Sequence, residues 1–79
     1  MAAFELWETR SGNLMGAYET EQRALAVVSK AVQAHGPGYL DSIVLVEVSR
    51  RGDPKPLAQG DALLQRARAA DQTRPPVPA

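Results

Sequence analysis

Few side chains in this sequence are equipped for chemistry, and their spacing limits what they can do. Glu5 and Glu8 come nearest to a carboxylate pair. The stretch Phe4-Glu5-Leu6-Trp7-Glu8 alternates as a strand does, which sends the two acids to opposite faces and denies them a shared reacting group. His35 is the single imidazole and stands at the end of a helical pattern, where the dipole favours its protonated form. As a general base it needs a positioned partner, and the acid on offer is Asp41. Gly36-Pro37-Gly38 follows that helix, whereas a phosphate-cradling loop precedes one, so it reads as a helix stop. There is no cysteine, hence no disulfide and no thiolate metal site, and one histidine makes a protein-built zinc site a poor expectation. The expectation is a non-enzymatic protein with no cofactor and no metal.

Length and charge narrow the classes further. At 79 residues the chain has room for one small domain, whose stability will be modest. Small domains of this kind often gain stability by self-association. Lysine and arginine number 9, aspartate and glutamate 9, so the basic excess expected of a nucleic-acid binder is missing. No run approaches the ~20 apolar residues of a membrane span. The first residues, with Glu5 and Glu8 and no basic region, do not resemble a signal peptide, and a cytoplasmic location is expected. The bias toward alanine and arginine points to a GC-rich bacterial genome.

The elements that must position any site follow in order. Phe4–Glu8 and Leu14–Tyr18 are strand-like, and Arg10-Ser11-Gly12-Asn13 between them predicts a hairpin. Its turn is either a type I turn with a glycine bulge or a two-residue turn containing glycine. Thr20 is a good N-cap for a helix whose Leu25, Val28 and Val32 form an apolar stripe flanked by Ala24 and Ala31, with Val27 at its margin. Gly36 and Pro37 end it. Ile43–Val48 is a strand with apolar residues on both faces up to Leu45, which suits the middle of a sheet. Arg50–Pro56 reads as a polar turn in which two prolines and a glycine oppose regular structure, with room for a short fourth strand at Leu57-Ala58. Asp61 is placed to cap a second, short helix over Ala62–Ala70, marginal unless docked. The predicted fold class is α+β: a ββαβ(β)α unit with a mainly antiparallel three- or four-stranded sheet, one principal helix on one face and a short C-terminal helix. Residues 1–70 form that domain, and 71–79 are a disordered, proline-rich tail.

Two surfaces are candidates for binding. Trp7 shares a strand face with polar neighbours, and it is either packed into the core or an interface anchor, a role in which tryptophan is enriched. With Tyr18 on the adjacent strand it can form an exposed aromatic pair. Val44 and Val46 add an apolar patch from the third strand, so Trp7, Tyr18, Val44 and Val46 are the candidate protein-interface residues. The second surface is basic: Arg50, Arg51 and Lys55, joined by Arg66, are the candidate phosphate contacts of a nucleic-acid-associated protein. Asp53 and Asp61 interrupt this cluster and no aromatic residue is near to stack a base.

The segment Phe4-Glu-Leu-Trp-Glu-Thr-Arg-Ser-Gly-Asn-Leu, the Gly16-x-Tyr18-x-Thr20-x-x-x-Ala24-Leu25 stretch and Ala58-x-Gly60-x-x-Leu63 resemble short, uncharacterised single-domain proteins of actinobacteria and related bacteria. That resemblance covers roughly residues 4–67 and implies a standalone domain, with no activity attached. The Gly16–Thr20 and Ala24-Leu25 rhythm also resembles the hairpin-then-helix half of HicB-like antitoxins, without their DNA-binding segment. The functional expectation is a protein-interaction module that binds itself, a homodimer through a sheet face or edge strand. The alternative is an antitoxin-like regulator using the basic loop.

Overall fold

Alternation, capping and a β-branched run combine here into an α+β unit of order β-β-α-β-β-α, seen in a computed structural model that describes residues 3–73. The strands are β1 (Ala3–Glu8), β2 (Asn13–Tyr18), β3 (Ile43–Val48) and β4 (Pro54–Gln59). They form one sheet in the order β2-β1-β3-β4, with every neighbouring pair antiparallel. Helix α1 spans Glu21–His35 and helix α2 spans Asp61–Thr73.

The first hairpin is closed by a four-residue loop, Thr9–Gly12, longer than a two-residue turn. Gly12 N–H donates to the Glu8 carbonyl at 2.9 Å, and its φ of 70° is one that glycine adopts without strain. Thr20 caps α1 as its type predicts: its hydroxyl accepts from the Arg23 N–H at 3.2 Å. At the other end the Gly36 N–H reaches the Val32 carbonyl at 2.7 Å. Pro37 does more than stop the helix. It opens a 3-10 turn over Pro37–Ser42 that drives Leu40 into the core.

The register sorts the paired strand residues onto two faces, leaving Met15 and Leu57 unpaired at bulges. Leu6 stands opposite Gly16 on one side and Leu45 on the other, and Leu45 opposite Ala58. That row is the centre of the covered face. Ala24, Leu25 and Val28 of α1, Leu40 of the 3-10 turn, and Leu63 and Ala67 of α2 pack into the same cluster with Leu6, Ile43, Leu45 and Ala58. Of the stripe read from the sequence, α1 buries Leu25 and Val28 together with Ala24, while Val32 packs only at the margin with Val27. Each fully buried leucine contributes about 1.5–3 kcal/mol relative to exposure.

Two features depart from expectation. Strand β4 is six residues long and contains both prolines. It is an edge strand, and Pro54 and Pro56 sit opposite Val48 and Val46, in the alternate positions whose N–H would point away from β3. Ser49 N–H bonds to the Asp53 carbonyl at 3.0 Å, which puts Lys55, two residues on, among the positions that bond β3. Helix α2 begins differently and runs further than expected. Leu64 N–H bonds to the Gly60 carbonyl at 3.0 Å, so Gly60 occupies the cap position and Asp61 lies in the first turn. The helix continues through Asp71 to Thr73, beyond the expected domain boundary at residue 70. The rest of the proline-rich tail, 74–79, lies outside the described residues.

Helix α2 is marginal by length but firmly docked. Arg66 pairs with Glu21 at 2.8 Å and Ser29 Oγ donates to Asp71 at 2.8 Å, two ties between the helices. Gly60 N–H reaches the Leu40 carbonyl at 3.1 Å and Gln59 Nε2 the Asp41 carbonyl at 3.1 Å, stitching the start of α2 to the 3-10 turn.

Candidate interaction surface

Both helices and the 3-10 turn contribute to one face, so the composition of the other face decides what the protein can present. Strand register gives that composition directly. One row reads Leu14, Trp7, Val44, Gln59 across β2, β1, β3 and β4. The next reads Ala17, Glu5, Val46, Pro56. A third adds Ala3, Val48 and Pro54. Apart from Glu5 and Gln59, every position in these rows is apolar. A sheet with one solvated face normally carries polar residues there.

Local chemistry shapes the centre of this face. Trp7 and Glu5 are two residues apart on β1 and so point the same way. The indole N–H of Trp7 donates to Glu5 Oε1 at 3.0 Å. This bond gives the acid of these rows a partner on the same face, and Trp7 is itself partly buried. Val46 is only 7% exposed, yet it stands outside the helix-covered core cluster. Its neighbours by register are Glu5 and Pro56 across the strands and Val44 and Val48 along its own. The sheet thus has a small second apolar centre of its own making.

Of the residues singled out from the sequence, Trp7, Val44 and Val46 share this face. Tyr18 does not. It pairs with Phe4, lies on the covered face and packs against the core. Its ring lies where a Cβ on Gly16 would have to stand, so the glycine lets Tyr18 fold back along β2. The expected exposed pair of Trp7 and Tyr18 does not exist: the two rings are on opposite sides of the sheet. Sequence alternation missed Leu14, Ala17, Val48, Pro54 and Pro56. A bulge at Met15 shifts the register of β2, and the prolines hid β4. The signal available for the latter was the spacing Pro54-x-Pro56, which places both rings on one face of an edge strand.

Comparisons with protein-family models, curated proteins and solved structures find no match.

The basic candidates divide between two places: Arg50 and Lys55 line one pocket at the β3–β4 turn, and Arg66 lies on α2. Arg50 and Arg51 are exposed in the β3–β4 turn beside Asp53, and Lys55 on β4 stands opposite Glu47 of β3. Arg66 belongs to α2 and is held by Glu21 of α1 at 2.8 and 3.2 Å. The remaining polar candidates are local. Glu8 accepts from the Ser11 hydroxyl at 2.6 Å, on the face opposite Glu5. His35 is exposed and stacks on Tyr39 with ring centroids 4.6 Å apart. Asp41 is exposed. Among the described residues no helix is long and apolar enough to cross a membrane.

Proposed function

We propose that this protein is a small, non-enzymatic interaction module of the cytoplasm that associates with itself through the sheet face that no described helix covers, the one carrying Trp7, Val44 and Val46. One observation supports this above all. The face opposite the helices is apolar in every position but Glu5 and Gln59, and such a surface on a small domain marks an interaction site. A second copy suits it because that copy brings the same apolar face, with Glu5 as its one acid, and a two-fold axis makes one patch its own complement. The nucleic-acid reading is not carried forward, since Arg66 is engaged by Glu21 and Glu47 faces Lys55.

Sedimentation from low to high micromolar concentration tests the proposal. The expected result is a reversible dimer. Val44→Lys, which puts a charge in the middle of the face, weakens it by at least about tenfold, because an unpaired charge would have to be desolvated. A wild-type chain that stays monomeric throughout overturns the proposal.

A further inference from the structure

We infer that the outer edge of β2 is a strand-pairing site for a second copy of this chain, and that β4 is closed to such pairing. The inference rests on the self-association reading and adds a second contact, the backbone edge, beside the side-chain face.

The backbone alternation fixes which groups point outward. Thr9 N–H bonds to the Ser42 carbonyl at 2.8 Å. By antiparallel alternation Trp7, Glu5 and Ala3 then bond β3, while Glu8, Leu6 and Phe4 bond β2. On β2 the residues opposite Trp7 and Glu5 are Leu14 and Ala17, and their N–H and C=O groups face away from the sheet. On β4 the corresponding outward positions are Pro54, Pro56 and Gln59.

The two edges are therefore managed in opposite ways. At β4 two of those three positions lack a donor, the usual device against edge-to-edge pairing. At β2 both outward positions keep their N–H. Its sequence, Asn13-Leu-Met-Gly-Ala-Tyr18, contains neither proline nor charge. It also carries the large hydrophobic residues that stand out as exposed, Leu14 at 47% and Met15 at 39%. The bulge at Met15 bends this edge but adds no charge to it.

The occupant must be an extended strand with a free, uncharged edge, and β2 of another copy is one. Antiparallel pairing of β2 with itself obeys a two-fold axis perpendicular to the sheet. Both sets of helices then lie on one side, and the two apolar faces join into one continuous surface. A strand pair covers less than the standard interface of about 800 Å² per partner, which places the contact among weak, reversible ones.

The test combines a backbone readout with a variant. Amide exchange of the full chain is measured at low and high concentration, and the Leu14 and Ala17 amides are expected to gain protection as concentration rises. Ala17→Pro copies onto β2 the device found on β4, removing an outward donor while leaving the bonds to β1 in place. It should leave the far-ultraviolet spectrum unchanged and weaken dimerisation by about tenfold, because a hydrogen bond is lost at each of two symmetry-related positions. If Ala17→Pro does not fold, the exchange measurement on the wild-type chain decides. A dimer that Val44→Lys abolishes, with no concentration-dependent protection at Leu14 and Ala17, overturns the edge inference and leaves the face reading standing. A wild-type monomer at every concentration overturns both.

Discussion

Replacing Leu63 by alanine tests whether α2 is part of the domain or an appendage to it. Leu63 is fully buried, at 0% exposure, and it joins α2 to the cluster that holds Leu6, Leu40 and Leu45. Truncating such a leucine costs about 2–5 kcal/mol, from lost transfer energy and the cavity left behind. A chain of this length has a total stability of about 4–12 kcal/mol, so the variant should lose a large share of it. With a urea slope near 1 kcal/mol per molar, the midpoint should fall by about 2–5 M. Two probes make the assay decisive. Trp7 fluorescence reports on the sheet from its uncovered face, and far-ultraviolet circular dichroism reports chiefly on the helices. If α2 is integral, both transitions move together by the same amount. A Trp7 transition that stays in place while part of the helical signal melts early would refute the reasoning, because Leu63 would then not be shared with the sheet.

Two further changes probe the surface and the caps. Arg66→Ala should cost less than about 1 kcal/mol in thermal or urea unfolding, and less still at high salt, because the Arg66–Glu21 pair is 43% and 32% exposed. Thr20→Ala should cost about 1 kcal/mol by leaving the Arg23 N–H without its cap, whereas Thr20→Ser should be nearly neutral in the same measurement.

What the sequence revealed, and what it hid, follows from the range of each interaction. The hairpin, α1 and β3 were legible because local signals agree with the tertiary outcome: alternation at Phe4–Glu8, a cap at Thr20, a stop at Gly36. Only the Leu57-Ala58 end of β4 was legible, because proline is judged by its cost inside a sheet, and the strand order alone reveals that Pro54 and Pro56 lie at an edge. Leu40 becomes core through a short 3-10 turn that carries no periodic pattern. Tyr18 was misplaced because face assignment across a hairpin depends on loop length and on the bulge at Met15, both non-local facts. Of the candidate surface, Trp7, Val44 and Val46 were found by alternation within their own strands. The outer columns needed the register.

How strongly the open face can bind depends on the apolar area it still has to bury. Removing apolar surface from water yields about 25 cal/mol per Å², but association itself costs about 4–15 kcal/mol. The centre of the face has already made part of its gain, since Val46 is 7% exposed in the single chain. What remains belongs to Trp7, Val44 and Val48, all partly buried, and to exposed Leu14. That remainder favours reversible association over a permanent dimer. The Trp7–Glu5 bond sets a further condition. A hydrogen bond to a charged carboxylate is worth about 1.5–3 kcal/mol, which a partner demanding an outward-swung indole would have to forfeit. Docking over the ring as it lies keeps that bond, and a partner then has only the desolvation of the Glu5 carboxylate to offset.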